Sequence, residues 1–201
     1  MRPPPQSLRA DAARNRELLL AAAEIEFAEK GINASVADIT RRAGVAKGTF
    51  FHHFTTKDDL IAAIVGRHVA ELTDAGESLL GSADPGAALL EFLTLAAAQR
   101  QQHDVSFLLR AKDADTRVAE AGRRLYATIG ALVDRARASG AVRPDIEAAD
   151  VILLTCAPNH VAGQARHGPP DLWRRYLALI FDGLRPEGAH PLPLPPPAAP
   201  L

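Results

Sequence analysis

The sequence predicts an all-α protein of about nine helices, a three-helix N-terminal head followed by a longer helical body. Three observations carry this. The 201 residues are 47% hydrophobic and rich in Ala and Leu, yet only 5% aromatic, so strand formers are sparse. Apolar residues recur at helical rather than alternating spacing along most of the chain. Glycine and proline fall between these runs, where helices must end.

Residues 1–10 (MRPPPQSLRA) read as a disordered arm, because three consecutive prolines cannot enter a helix interior. From about Asp11 to Lys30, Leu19, Ala23 and Phe27 fall at i, i+4 and i+8, and Gly31 suits the position just past a helix end. Ser35 then reads as an N-cap, with Asp38 three residues on completing a capping-box-like pair. Val36, Ile39 and Ala43 form the inner stripe of helix two, and Gly44 supplies a left-handed turn. Helix three runs from about Ala46 to His53, with Phe50 and Phe54 facing the core. Two short helices joined by a glycine turn form a helix-turn-helix, whose second helix enters a DNA groove.

Thr56 can cap helix four, which continues to about Leu80, with Asp58 and Asp59 at its positive end. Gly81-Ser82 and Pro85-Gly86 break the chain before a fifth helix over about 86–102. A short helix is expected around Val105–Lys112 and a long one over about Thr116–Ser139. The next, about Ile146–Ala165, contains Pro158 and should kink there. Pro170 suits the first position of a last helix, Asp171–Leu184. After Pro186 the proline-rich tail, 186–201, should be disordered.

Residues 1–57 hold nine Lys and Arg against six Asp and Glu, whereas 58–201 hold fourteen against eighteen. Basic charge thus sits with the helix-turn-helix, where phosphate attraction needs it. The lone Cys156 excludes an intramolecular disulfide and a Cys-rich zinc site. With no signal peptide and no apolar run of about 18 residues, a soluble cytoplasmic protein without a membrane partner is expected. No nucleophile–base–acid set, phosphate loop or HExxH motif occurs, which argues against an enzyme and calls for no cofactor.

The stretches FAEKGINASVADIT and RAGVAKGTFFHHFTTKDDL closely resemble the DNA-binding signature of TetR-family transcriptional repressors, over roughly residues 14–65. The closing helix, DLWRRYLALIFDGLRP, is of a kind often seen in that family. The resemblance implies a homodimer with a DNA-binding head (11–57) and a ligand-binding and dimerisation body (58–185). It also implies a palindromic double-stranded operator, released when an unidentified small-molecule effector occupies the body. The alternative is a regulator of the same fold that acts without an inducer, as an activator or architectural protein.

By that motif, Lys47, Thr49, His52 and His53 lie on the exposed side of helix three, with Lys47 and Gly48 in its first turn near the bases. Ser35 and Lys57, at helix starts, fit family phosphate contacts. Phe51 stands where many members carry a tyrosine whose hydroxyl contacts phosphate; the ring is kept, and about 1 kcal/mol of hydrogen bond is lost. Thr40 replaces a usual alanine and should bond a carbonyl one turn back. Neighbouring side chains diverge on a helix, so His52 and His53 do not suit one metal ion.

For dimerisation the last two helices are the candidates. Trp173, Tyr176, Leu177, Ile180, Phe181 and Leu184 give an apolar surface wider than one stripe, and Val161 and Gly163 belong to a helix able to approach closely. Candidate pocket residues are Phe92, Leu95, Phe107, Leu108, Tyr126, Ile129, Cys156, Asn159 and His160, an apolar set with a few polar groups.

Overall fold

The computed structural model describes residues 5–102, 116–165 and 168–198. Among them the chain forms only helices: α1 (Pro5–Lys30), a 3-10 turn (Gly31–Asn33), α2 (Val36–Ala43), α3 (Lys47–His53), α4 (Lys57–Leu79), α5 (Pro85–Gln102), α6 (Thr116–Ala138), α7 (Ala148–Leu154), α8 (Ala157–Gly163) and α9 (Leu172–Gly183). The short helix expected around Val105–Lys112 lies outside the described residues. The chain divides into two compact units, 5–67 with 116–118, and 68–102 with 119–198. The division falls inside α4.

In the first unit α1 begins at Pro5, and the expected disordered arm is helical over residues 5–10. Proline suits a helix start because its missing N–H would be unpaired there anyway. Leu19, Leu20, Ala23 and Phe27 from α1 are buried, as are Ile39, Phe50, Phe54, Leu60, Ile61 and Ile64. Each buried Leu, Ile or Phe among them contributes roughly 1.5–3 kcal/mol of burial. Charged pairs reinforce these helix contacts. The buried Glu26 lies 2.6 Å from Lys30 Nζ and 2.7 Å from Arg42 Nε, linking α1 to α2. Arg67 of α4 reaches Glu24 at 2.5 Å and Glu17 at 3.2 Å.

In the second unit Leu89, Phe92, Leu93, Ile129, Leu132, Val133, Val151, Trp173, Leu177 and Phe181 form one buried cluster. Here Gly76 permits close approach, since a Cβ would lie 2.7 Å from Thr128 Cγ2 and 3.2 Å from Phe92 Cε2. The single kinked helix expected over 146–165 is two helices, α7 and α8, interrupted at Thr155 and Cys156. Pro158 sits in the first turn of α8, where an N–H has no acceptor within that helix. Thr155 Oγ1 closes α7 by donating to Ile152 O at 2.6 Å. α9 starts at Leu172, two residues beyond Pro170.

The tail is also corrected in part. Residues 186–198 form no helix or strand, but they are tethered at His190. Arg143, nearly buried, donates Nε to Asp145 Oδ1 at 2.6 Å and Nη2 to Asp145 Oδ2 at 2.8 Å, and Nη2 also reaches the His190 carbonyl. Its own N–H donates to Leu184 O at 2.7 Å. The Arg143 guanidinium holds the Asp145 carboxyl below the usual range, chiefly through this hydrogen bonding.

Candidate nucleic-acid interface

Local chemistry sets the angle between α2 and α3. Ser35 Oγ accepts from Asp38 N at 3.1 Å and donates to Asp38 Oδ2 at 2.8 Å, capping α2. The Asp38 carboxyl is held down to about 2, first by that hydroxyl and next by Arg41. Thr40, buried, places its hydroxyl on Ala37 O at 3.2 Å. Gly44 then turns the chain at φ 68°, with Gly44 N–H on Arg41 O and Val45 N–H on Thr40 O. That double closure satisfies the last carbonyls of α2 and needs a residue without Cβ strain.

α3 is anchored on one side by aromatic packing. Phe50 is fully buried, and its ring centroid lies 5.2 Å from Phe51 and 5.8 Å from Phe54. The Arg16 guanidinium lies over the Phe54 ring at 5.4 Å. With Phe50 inward, about 100° of rotation per residue sets Gly48 and His52 opposite it, with Phe51 and Lys47 along the flank on one side. All four are exposed, Phe51 by 52%.

Thr49 and His53 do not share that face. Both are half-buried, and His53 forms part of the wall of a cavity on the inner flank of α3. The expectation that His53 lies on the exposed side is therefore corrected. Adjacent side chains diverge on a helix, so His52 turns out and His53 turns in. Burial lowers the His53 imidazole from its ordinary value, with His52 and Arg16 adding to the effect.

Ser35 is exposed at the start of α2. Lys57 is half-buried, and its Nζ donates to Ile32 O at 2.7 Å and to Ala34 O at 3.4 Å. Sequence reading missed this tether because the acceptors are main-chain carbonyls of a distant turn. The outward face thus presents one ammonium, one imidazole, an aromatic ring and a bare glycine backbone. Such a set can hydrogen-bond base edges or phosphates and make apolar contact with a thymine methyl.

The nine residues expected to line a pocket are not all brought together. Phe92 and Ile129 pack inside the second unit's core, with Tyr126 half-buried against it. Leu95, Cys156 and His160 are exposed. Asn159 is half-buried, with Nδ2 donating to Ala97 O at 2.7 Å and Oδ1 buried without a hydrogen-bond partner among the described residues. Phe107 and Leu108 lie outside the described residues.

The expected dimer surface is corrected more sharply. Trp173, Leu177, Phe181 and Leu184 are buried in their own subunit's core, being the stripe at i, i+4, i+8 and i+11 of α9. Tyr176 and Ile180 are half-buried, while Val161 and Gly163 are exposed. Leu179, which the sequence reading did not single out, is 55% exposed on the outer side of α9. Its offset from the inner stripe by two residues was the available signal.

A model of bacterial regulatory proteins of the tetR family matches residues 19–64, and one described as Transcriptional regulator SbtR-like, C-terminal domain, matches 84–186. Among curated proteins, the transcriptional repressor BepR of Brucella suis is 43% identical over 60 residues, 29% of each chain. The transcriptional activator FasR of Mycolicibacterium smegmatis is 42% identical over 60 residues, 29% of this chain and 27% of its own. These matches span less than a third of either relative's length. The repressor KstR2 of Mycobacterium tuberculosis is 25% identical over 88% of this chain and 95% of its own. The crystal structure of a TetR regulatory protein from Mycobacterium vanbaalenii is 32% identical, with a TM-score of 0.63 over 89% of this chain and 99% of that one. Among the described residues no helix is long and apolar enough to cross a membrane.

Proposed function

Because the chain belongs to the TetR family of DNA-binding transcriptional regulators, and not to an enzyme family, we propose that it acts as a homodimeric repressor. In this reading it is cytoplasmic, binds a palindromic operator, and is released when a small molecule occupies the C-terminal unit. The outward face of α3 carries the proposal: Lys47, Phe51 and His52 stand exposed together while Phe50 and Phe54 fix the helix from behind. Lys47 and His52 meet base edges, Phe51 gives apolar contact, and Gly48 lets the backbone approach. Ser35 and Lys57 meet phosphate, as does Thr49 at the rim of the face.

The second copy supplies the second half-site. Tyr176, Leu179, Ile180, Val161 and Gly163 form an apolar outer edge on α8 and α9 suited to a two-fold helical interface. Spacing of the two α3 helices then follows the turn of the duplex, roughly 34 Å or a multiple. An effector favouring the conformation with separated heads weakens operator binding, and operator weakens effector binding by the same factor. The polar candidate for the effector is the buried Asn159 Oδ1, and Phe92, Tyr126 and Ile129 of the same unit are the apolar candidates.

The experiment is footprinting of the purified protein on DNA flanking its own gene, followed by a screen for compounds that release it. Protection of a two-fold symmetric site, lost in Lys47→Ala, supports the reading. Absence of any symmetric protected site contradicts it, and activation of transcription from a bound site would favour the alternative role.

A further inference from the structure

Along α1 the residues Leu19, Ala22, Ala23 and Glu26 fall at i, i+3, i+4 and i+7, the stripe a helix turns to its core. The first three are apolar and buried. The fourth is a carboxylate, buried as deeply at 3% exposure. A buried charge loses its hydration, which its partners must offset, and an apolar residue in its place is often as stable. Stability alone therefore does not account for Glu26.

Its two oxygens face different partners. Oε1 accepts from Arg42 Nε at 2.7 Å, and Oε2 lies 2.6 Å from Lys30 Nζ. Each cation carries the contact to one end of α2. Lys30 Nζ also lies 3.4 Å from Asp38 Oδ2, the oxygen that receives the Ser35 hydroxyl at the α2 cap. Arg42, in the last turn of α2, also donates Nη2 to Glu29 Oε2 at 2.5 Å. Two residues later Gly44 makes the left-handed turn, and α3 begins at Lys47. One carboxylate on α1 thus reaches the start of α2 through Lys30 and its end through Arg42. Apolar contact is non-directional and tolerates small slides and rotations of a helix, whereas charge-assisted bonds at both ends fix its place.

We propose that Glu26 is a positioning residue for DNA recognition: it fixes α2 on α1 and so sets where the Gly44 turn delivers α3. Its carboxylate is buried and acts only through α2. The positioning role rests on α3 being the reading helix. Removing the carboxylate leaves the head one charge more positive, which favours contact with DNA of any sequence. A loss of specific affinity on its removal therefore runs against the Coulomb effect and reports position.

Glu26→Leu tests this, because leucine continues the apolar stripe while Lys30 and Arg42, with side chains 40% and 33% exposed, can rehydrate. The full chain should melt within about 4 °C of wild type. In the free protein the Val45 amide, which closes the turn on Thr40 O at 3.1 Å, should exchange about tenfold faster, with Leu132 in the second unit unchanged. On the duplex that wild type selects from randomised DNA, affinity should fall about tenfold, as for one misaligned base contact. Affinity for a scrambled duplex should not fall. Glu26→Gln keeps an acceptor for Arg42 Nε and loses the Lys30 ion pair, so it should lie between. Unchanged Val45 exchange overturns the clamp whatever the protein does with DNA. Quickened exchange with undiminished preference for the selected duplex, or equal losses on both duplexes, overturns the positioning role. Both variants melting far below wild type would make Glu26 a folding residue and overturn it as well. If Val45 exchange quickens but wild type selects no symmetric duplex, the operator reading fails and the clamp stands.

Discussion

Replacing Lys57 with Met separates two roles that sequence reading merges. The side chain keeps its stem but loses an ammonium that donates to Ile32 O at 2.7 Å and Ala34 O at 3.4 Å. Hydrogen bonds to charged groups are worth roughly 1.5–3 kcal/mol, less where water competes, so the half-buried tether should contribute about 1–2 kcal/mol. For a chain of this size that lowers the melting temperature by about 2–8 °C. Lys47 is exposed on α3, and Lys47→Met should change stability by no more than about 0.5 kcal/mol. On DNA the two should differ again. Lys57→Met should weaken all sequences alike and reduce the salt slope by about 0.9, as for one phosphate, whereas Lys47→Met should change sequence preference. Thermal melts and salt-dependent anisotropy read both effects. A Lys57→Met protein that melts with wild type, or a Lys47→Met protein that melts as far below it, would refute the division.

Phe50→Ala should cost about 3–5 kcal/mol and remove DNA binding with the fold of the head, whereas Phe51→Ala should melt near wild type and lose operator affinity alone. Far-UV melts beside anisotropy distinguish them. Asp38 and Glu26 have folded-state values below those of free carboxyls, so their contribution is complete only above about pH 5. It is lost as pH falls through the folded values, for Asp38 near about 2. Ser35→Ala removes the largest cause of the Asp38 shift, so acid unfolding of the head should begin at higher pH; an unmoved titration would count against the cap. Leu179→Asp should give a folded monomer by light scattering, because Leu179 is exposed, while Leu177→Asp should fail to fold. A Leu179→Asp dimer would place the interface elsewhere.

Features written in local sequence were legible. Ser35 with Asp38, Gly44, and Thr56 with Asp59 act through atoms three or four residues apart, and the structure bonds them as such residues bond. Glycine and proline breaks bounded α4, α5 and α6, because helices end where those residues fall. Periodicity failed on α9, where a wide apolar surface combines an inner stripe and an outer edge that spacing alone does not separate. It failed also at Thr155, where proline divides a helix that keeps an apolar pattern on both sides. The Lys57 tether, the Arg143–His190 contact and the Asn159–Ala97 bond end on main-chain carbonyls, which have no sequence signature. On α3 the motif brought Lys47 and His52 to one face, but helical rotation places Lys47 and His53 equally far from the buried Phe50, and only packing in the folded head leaves Lys47 exposed and His53 half-buried.

The most direct test of operator reading is selection from randomised double-stranded DNA by the purified full chain. The account predicts enrichment of a two-fold symmetric site whose half-sites lie about one helical turn or a multiple apart, 10–10.5 base pairs each. Enrichment should change in sequence with Lys47→Ala and His52→Ala but not with His53→Ala, which turns inward. Recovery of no symmetric sequence, or equal dependence on all three residues, would contradict it.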